Sequence, residues 1–283
     1  MSIEDAVRQG DRTAWLAALF APEPARPALH ALAAYRVELG RIVETVRDPM
    51  AAEIRLQWWR DAIRDEGFGA GRSVPLVDAL REGARRYEWP LDTLCAVSEA
   101  FIHDLYADPL PDWDAFDGYA GEACAAPVQL AAMTLCVEAL GKPAGLAAAR
   151  TAATAAGYAG VALAAADVAL TVPRRFARGS SLIPVAAWRA ATGEDQAASM
   201  AAGRLPEGAD RAARAVAAHG RAADEAMRRH LAAVAPQARA AFLPAMTARR
   251  ALATRAPLSE RRPASWRTQL DLWWAAKRLD RLD

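Results

Sequence analysis

The sequence predicts an all-α fold that forms one domain, and three observations support this prediction. Apolar residues recur at helical spacing along the chain, and no segment shows the sustained alternation between turn residues that is typical of a strand. Prolines and glycines interrupt the pattern at short, evenly spread breaks, which leave segments of about 12 to 28 residues. The third observation is that no long linker rich in proline, glycine or serine occurs, so residues 1–283 are predicted to form a single domain.

Helix starts are predicted where a capping residue precedes an apolar run. Such signals occur at Asp11, at Pro90 and at Pro111-Asp112. Apolar residues in segment 27–46 form one broad stripe, which predicts a helix with one buried face. The first half of the chain is therefore predicted to contain several amphipathic helices.

The middle of the chain predicts a long, buried helix. Gly141 follows Leu140 and is expected to end the helix before it. The uncharged, alanine-rich segment between Arg150 and Asp167 is predicted to be a core helix, because it is shorter than the roughly 20 residues of a membrane span. We expect Pro173 to break the helical pattern that follows.

Composition excludes several classes of protein. Hydrophobic residues make up 53% of the 283 residues, and 35 Lys plus Arg nearly balance 34 Asp plus Glu to give a net charge of +1. This composition excludes intrinsic disorder and argues against a nucleic-acid partner, which normally requires a basic excess. Cys95, Cys124 and Cys136 form no Cys-x-x-Cys pair and are predicted to be buried, apolar side chains. The acidic, polar N-terminus lacks a secretory pattern, so we expect a cytoplasmic protein.

The sequence lacks the patterns of several catalytic chemistries. It contains no His-x-x-x-His pair, Gly-x-Ser-x-Gly elbow, phosphate-binding glycine loop or dinucleotide fingerprint. In an all-α protein, acids at positions i and i+4 share one helix face and can hold a divalent cation together. The pairs at this spacing are Glu44 with Asp48, Asp61 with Asp65, and Asp104 with Asp108. A solvated surface is the alternative interpretation for each pair, although the apolar neighbours of Asp104 predict that it is buried.

Five motifs occur in the order and at the spacing of the squalene/phytoene synthase superfamily. They are segment 27–39 (PALHALAAYRVEL), segment 56–63 (LQWWRDAI), segment 101–106 (FIHDLY) before Asp108-Pro109, segment 116–119 (FDGY), and Arg178-Gly179 leading to segment 182–184 (LIP). The chain therefore resembles this superfamily over most of its length. The resemblance implies an all-α, isoprenoid synthase-like helical bundle with a central cavity. For active members it also implies head-to-head joining of two prenyl diphosphates, with magnesium held by aspartates on two facing helices.

The chain departs from active relatives at both aspartate motifs. Gly40-Arg41 stands where the resemblance places the leading aspartates of the first motif, and only Glu44 remains acidic there. Counting back from segment 182–184 places Thr171 and Arg175 at the two aspartate positions of the second motif. Magnesium binds through carboxylates and substrate phosphates, so arginines at these positions would remove ligands and repel the ions.

These replacements are similar to those of one branch of the superfamily, the mitochondrial complex I assembly factor with a squalene/phytoene synthase-like domain and its bacterial relatives. The similarity rests on Val37-Glu38-Leu39 at the first motif and on Leu170-Thr171-Val172-Pro173 at the second. It implies lost prenyl transfer and a role in respiratory complex I biogenesis at the inner membrane. Gln57-Trp58-Trp59 also fits this branch, although aromatic residues at this place are equally consistent with the protein core.

A cluster of arginines beside Pro173 has two interpretations. Arg174, Arg175 and Arg178 could pair directly with a phosphate, because guanidinium groups suit that geometry, or they could lie in a solvated loop. Direct pairing would bind a phosphate without ionising it as a leaving group. Catalysis would then be weak at best.

The C-terminal segment carries aromatic and basic residues at helical spacing. Trp266, Leu270, Trp273, Trp274 and Lys277 fall on one helix face, with Arg267 and Arg278 nearby. Such a face is typical of a membrane interface or a protein contact, and the alternative is a helix that closes the domain core. Upstream arginines would strengthen attraction to an anionic membrane if they share a face; they are Arg249, Arg250, Arg255, Arg261 and Arg262.

Two hypotheses follow for the function. In the first, the chain has lost prenyl transfer and acts as a binding or assembly factor without a metal cofactor, with respiratory complex I biogenesis as the expected process. Its cavity is expected to be lined by acids that accept hydrogen bonds, arginines that bind anions, and tyrosines that form walls. These residues are Tyr35, Arg36, Glu38, Arg41, Glu44, Asp104, Tyr119, Asp167, Arg174, Arg175 and Arg178. In the second, the chain is a Mg²⁺-dependent head-to-head prenyltransferase that condenses two prenyl diphosphates, with the metal bound by Glu44, Asp104 and Asp167.

The first hypothesis also predicts partners and a location. The expected partners are a prenyl diphosphate or lipid in the cavity, a complex I subunit or assembly intermediate, and the periphery of a membrane, but no nucleic acid. The expected location is the cytoplasm, with the inner face of the membrane as the place of contact.

Overall fold

The structure, a computed structural model, describes residues 2–65, 67, 74–106, 108–253 and 265–282, and within these ranges it contains helices and no strand. The predicted all-α fold is confirmed. The single-domain assignment stays a prediction. The α-helices of the described ranges are α1 (Ile3–Gly10), α2 (Arg12–Ala18), α3 (Arg26–Thr45), α4 (Pro49–Arg64), α5 (Pro75–Tyr87), α6 (Leu91–Ile102), α7 (Trp113–Ala120), α8 (Ala126–Leu140), α9 (Lys142–Ala149), α10 (Ala153–Phe176), α11 (Val185–Thr192), α12 (Gln196–Ala201), α13 (Ala209–His230), α14 (Leu243–Leu252) and α15 (Ser265–Leu279).

The predicted helix ends agree with the structure. The carboxylates of Asp11 and Asp112 cap α2 and α7, and each accepts a hydrogen bond from the backbone N–H three residues on, at 2.9 Å. Pro90 precedes the first residue of α6. Gly141 ends α8 with a φ of +76°, a region that glycine adopts without the strain of a side chain.

The alanine-rich segment forms α10, but Pro173 does not break it. The helix continues through Pro173 to Phe176, which contradicts the predicted break. A proline removes one backbone hydrogen bond from a helix, and packing of the flanking residues offsets that loss here. Val172 and Phe176 are both buried, and Arg175 Nε donates a hydrogen bond to Thr171 Oγ1 at 3.1 Å across the same turn.

Three buried clusters of apolar side chains hold the helices together. One packs the C-terminal half of α10 against α7, α11 and α13, and the second packs its N-terminal half against α8, α14 and α15. The third joins α3, α4, α5, α6 and α8. The predicted burial of Cys95, Cys124 and Cys136 is confirmed.

A π-helical turn, Gly121–Ala125, joins α7 to α8 without interrupting the helical path. This turn packs directly against α10 at Gly160. A Cβ atom on Gly160 would lie 2.5 Å from the Cβ of Ala125 and 2.8 Å from the carbonyl oxygen of Ala120, closer than real contacts allow. The absence of a side chain at residue 160 therefore sets the distance between these two elements.

Two stretches of the described chain are long and apolar enough to cross a membrane. They are Trp113–Leu140 and Lys142–Phe176, each with a mean hydropathy of 1.6 over its most apolar window. Within the fold, 61% of the first window and 72% of the second are buried. This burial is what core helices require, and it agrees with the core helix predicted between Arg150 and Asp167.

Substitution of Gly160 by alanine should lower the free energy of unfolding by about 1–3 kcal/mol, because the added methyl group meets the backbone of the π-helical turn. The matched control is Gly157→Ala on the same helix, where an added Cβ meets nothing within 4 Å. That control should raise the free energy of unfolding by roughly 0.5–1 kcal/mol through higher helix propensity. Urea denaturation of both variants measures the difference, and equal effects would contradict the close approach at residue 160.

Candidate functional site

A cavity of about 1000 Å³ lies between α3, the turn that follows α6, the π-helical turn and the C-terminal half of α10. Most of the site residues predicted from the sequence line this cavity. They are Arg36, Glu44, Asp104, Tyr119, Asp167, Arg174, Arg175 and Arg178. Residues from five separate parts of the chain are thus brought together at one place.

Tyr35, Glu38 and Arg41 do not line this cavity, although they were predicted to do so. The helical period explains why, because Arg36, Gly40 and Glu44 of α3 share the cavity face and these three residues point elsewhere. Tyr35 is buried in the neighbouring core, with its ring 5.6 Å from that of Trp59. Glu38 and Arg41 form an ion pair with each other at 2.6 Å, and the Arg41 side chain is largely exposed.

Arg175 forms the centre of the site, because its guanidinium group bridges two carboxylates. Its Nη1 lies 3.0 Å from Asp104 Oδ2, and its Nη2 lies 3.2 Å from Asp167 Oδ2. The Asp104 side chain is only 2% exposed, whereas that of Asp167 is 58% exposed. Tyr119 also donates a hydrogen bond to Asp104 Oδ2, at 3.4 Å. The bridge joins the turn after α6 to the last three turns of α10.

Burial and charge act in opposite directions on the groups of this bridge. Burial raises the pKa of Asp104 above the usual value for a carboxyl group, and Arg175 opposes that shift. Burial would lower the pKa of Arg175, but the charges of Asp104 and Asp167 outweigh it, so the pKa of Arg175 is raised. Burial also raises the pKa of the Tyr119 hydroxyl. Arg175 therefore stays cationic and Tyr119 stays a hydrogen-bond donor at neutral pH.

Two further arginines of the site carry N–H groups that are not satisfied. Arg36 Nη2 lies 3.4 Å from Cys124 Sγ, and Arg174 Nη2 lies 3.2 Å from Glu44 Oε1 at the rim. The Nε atoms of Arg36 and Arg174 are buried and have no hydrogen-bond partner among the described residues. Buried donors without a partner are uncommon in proteins, so these atoms favour a ligand that carries acceptor oxygens.

A second cavity of about 680 Å³ adjoins the first, and Arg36 and Asp167 line both. Apolar side chains of α2, α3, α8 and α10 form much of its wall. They include Ala17, Ala18, Leu29, Leu32, Val128, Leu135, Leu163, Ala166 and Leu170. The site thus combines a charged compartment with an adjoining apolar one.

The carboxylate pairs proposed from the sequence do not form pairs on one helix face. Glu44 lies in α3, whereas Asp48 lies beyond the end of α3 and caps α4. Asp104 lies in the turn after α6, and Asp65 follows the end of α4. The turn at each of these places ends the helical period that the spacing assumed. The predicted burial of Asp104 is confirmed.

The carboxylate groups of the cavity do not fit a magnesium site. Among the residues that the structure describes, no three Asp, Glu, His or Cys side chains are grouped so that they could hold a metal ion. Asp104 and Asp167 are paired with Arg175, and Glu44 is paired with Arg174. A divalent ion would have to displace these guanidinium groups against charge repulsion.

Two residues of the cavity could not be identified from the sequence. Arg47 lies beyond the last residue of α3, where helical periodicity no longer gives the direction of a side chain. Cys124 was predicted only to be buried, and the π-helical turn directs it to the cavity. A π-helical turn has no reliable signal in the sequence, so this position could not be derived from spacing.

Comparisons with known proteins bear on the family and the fold of the chain. A model of the squalene/phytoene synthase family matches residues 7–274. No curated protein matches the chain at a significant level.

Two solved structures share the fold. The first is the crystal structure of squalene synthase HpnC from Alicyclobacillus acidocaldarius, which matches with a TM-score of 0.65 and 20% sequence identity. The match covers 89% of this chain and 90% of that one. A dehydrosqualene synthase in complex with ligand is 10% identical, with a TM-score of 0.74, and the match covers 98% and 95% of the two chains. At these identities, the likeness shows an isoprenoid synthase-like fold.

An Arg175→Met substitution should lower the free energy of unfolding by about 3–5 kcal/mol, because it leaves the Asp104 carboxylate buried without its ionic partner. Without Arg175, burial keeps the pKa of Asp104 above the value in the unfolded chain. The free energy of unfolding of the variant should therefore fall as the pH rises from the pKa of Asp104 in the unfolded chain to its higher pKa in the folded variant. The loss of stability relative to the natural protein should be smaller at acidic pH. Chemical denaturation at acidic and neutral pH measures both effects.

The matched control for this prediction is an exposed ion pair. Arg214 and Asp210 form a pair along α13, with side chains 47% and 42% exposed, and Arg214→Met should cost less than about 1 kcal/mol. Adding Asp104→Asn to Arg175→Met should restore part of the lost stability, since the unpaired charge is then removed. Equal losses for Arg175→Met and Arg214→Met would contradict a buried bridge.

Proposed function

The chain belongs to the squalene/phytoene synthase family, and from this premise we propose that it has lost prenyl transfer and acts as a binding or assembly protein. In this proposal, the charged cavity binds the head group of an anionic isoprenoid or lipid, and no metal takes part. The observation that carries the proposal is the position of Arg175 between Asp104 and Asp167.

The loss of prenyl transfer is supported by the charges at the site. Ionisation of a prenyl diphosphate requires stabilisation of the negative charge that develops on the leaving group, and in active relatives the resemblance assigns this task to magnesium. Here the carboxylates that would bind the metal are already neutralised by arginines of the same chain. The positive charge of an arginine that is paired with two acids is largely compensated, so it stabilises the negative charge on a leaving group only weakly.

Binding of an anionic amphiphile is supported by the two compartments. The Nε atoms of Arg36 and Arg174 are buried donors that need acceptor oxygens, and Arg47 and Arg178 add positive charge to the same cavity. Guanidinium groups pair well with phosphate oxygens. The adjoining apolar cavity meets the charged one at Arg36 and offers space for a hydrocarbon chain. A molecule with a phosphorylated head and an apolar tail would satisfy both.

A role in respiratory complex I biogenesis is the finer part of the proposal. It is supported by the likeness of the two altered motifs, 37–39 and 170–173, to the assembly-factor branch of the superfamily. In that role the partner would be a complex I subunit or an assembly intermediate. The fold by itself serves many functions, so this part depends on a test in the cell.

The purified protein should release no pyrophosphate from farnesyl or geranylgeranyl diphosphate in the presence of magnesium, and it should still bind farnesyl diphosphate when EDTA is present. Substitution of Arg174 and Arg178 by glutamine should weaken binding by roughly tenfold or more, because each charge-assisted hydrogen bond contributes about 1.5–3 kcal/mol. Pyrophosphate release and isothermal titration calorimetry measure the two properties.

The control variant is Arg189→Gln, which removes an exposed arginine from α11, outside the cavity, and should leave binding unchanged. Magnesium-dependent turnover that is abolished by Glu44→Gln or Asp167→Asn would contradict the proposal. That result would instead support a head-to-head prenyltransferase that binds magnesium through Glu44, Asp104 and Asp167.

Deletion of the gene should lower the amount of assembled, active NADH dehydrogenase in membranes of the source organism. Complementation with the natural gene should restore it, and so should a Gly157→Ala gene, which tests a change outside the site. Native gel electrophoresis with an in-gel activity stain measures the assembled complex. Normal assembly in the deletion strain would remove the complex I role while leaving ligand binding open to its own test.

A further inference from the structure

The C-terminal helix α15 has two apolar faces on opposite sides. Leu272, Ala275 and Leu279 are buried against the rest of the fold, so the helix closes the core, as one interpretation of the sequence expected. The opposite side is formed by Trp266, Leu270, Trp273 and Trp274, which we call the tryptophan face. These four side chains are 59%, 46%, 45% and 50% exposed. Helices that are apolar on all sides are normally covered on all sides.

The tryptophan face is held on a fixed support. Arg250 of α14 forms two hydrogen bonds with the carboxylate of Asp271 in α15, both at 2.6 Å. The rings of Trp273 and Trp274 pack edge to face at 4.8 Å, and Arg267 lies 5.1 Å from the ring of Trp266. The indole groups are therefore presented outward from an anchored helix.

Positive charge surrounds the tryptophan face. Arg267, Lys277, Arg278 and Arg281 are exposed within or beside it. Lys277 lies 3.8 Å from Asp280, whereas no carboxylate of the described residues lies within ion-pair distance of the three arginines. The remaining predicted basic residues, Arg255, Arg261 and Arg262, lie outside the described residues. The face thus combines indole rings with a local excess of cations.

We propose that the tryptophan face is a peripheral docking surface for an anionic lipid bilayer. Indole rings are favoured at the boundary between lipid head groups and acyl chains, because one part of the ring is apolar and the N–H group needs a polar partner. Arginine and lysine beside them meet anionic head groups, and each contributes to binding near a charged surface. In this orientation α15 lies in the plane of the membrane surface.

The surrounding charge also disfavours a second copy of this chain as the occupant. A twofold contact through the tryptophan face would place the same arginines against each other. Like charges brought together across an interface oppose association. An anionic bilayer is complementary to the whole face, whereas a second copy is complementary only to its apolar part.

Cosedimentation with vesicles tests the proposal. The full-length protein should bind vesicles of phosphatidylcholine with phosphatidylglycerol, and it should bind vesicles of phosphatidylcholine alone much more weakly. The double variant Trp273→Ser, Trp274→Ser should lower the partition coefficient by roughly tenfold or more, because two indole rings no longer enter the interface. The double variant Arg267→Gln, Arg278→Gln should reduce the preference for phosphatidylglycerol and its sensitivity to salt.

The matched control is Met50→Ser with Ile54→Ser. These side chains of α4 are 69% and 60% exposed, which is comparable to the exposure of the tryptophan face. They lie on a different helix, which packs against α3, α5 and α6. The control should bind vesicles as the natural protein does, and all variants should keep the helical circular dichroism signal, because the replaced side chains lie on the surface.

Three results would overturn the proposal. The first is an absence of binding to anionic vesicles by the natural protein. The second is vesicle binding that the tryptophan substitutions leave unchanged or that the α4 control abolishes. The third is a dimer, seen by analytical ultracentrifugation, that the tryptophan substitutions convert to a monomer.

Discussion

The cavity depends on one mostly buried cation, the guanidinium group of Arg175, and on the two carboxylates that compensate its charge. Burial of either Asp104 or Arg175 alone would be costly, and each makes the other tolerable. The bridge therefore couples the turn after α6 to the end of α10. It also supports a stretch of helix that contains a proline, because Arg175 contacts Thr171 across the turn that includes Pro173.

An arginine of the chain and a bound metal ion can each compensate the charge of the same acids, but in different ways. A metal ion can bind and leave with the substrate, and its charge is available to a developing anion. The charge of Arg175 is covalently attached and is already directed at Asp104 and Asp167. A site built in this way can retain the shape of a synthase cavity while its electrostatic response to a diphosphate differs. Under the proposed function, this difference is the reason why the chain keeps the fold of the family without prenyl transfer.

Much of this arrangement could be predicted from the sequence, and the exceptions have physical causes. Capping residues and apolar periodicity are local, so the starts of α2, α6 and α7 could be located. The burial of Asp104 followed from its apolar neighbours. The continuation of α10 through Pro173 depends on tertiary packing, which no local pattern reports. The directions of Tyr35 and Glu38 depend on how α3 is rotated against its neighbours, so a motif could place these residues near the site but not in it.

The π-helical turn between α7 and α8 also sets what kinds of sequence change this lineage can accept. A single extra residue within the turn lets Tyr119 and Cys124 face the same cavity, although Cys124 lies five positions after Tyr119. A π-helical turn closes with i→i+5 hydrogen bonds in place of i→i+4 and so takes up one extra residue. Loss of one residue there would restore regular α-helix and leave α8 nearly in phase with α7. Ala120, Ala123 and Cys124 are buried, so larger side chains would be poorly tolerated in or beside this turn. A second inserted residue would exceed what one π-helical turn takes up and would rotate α8 by about 100° relative to α7.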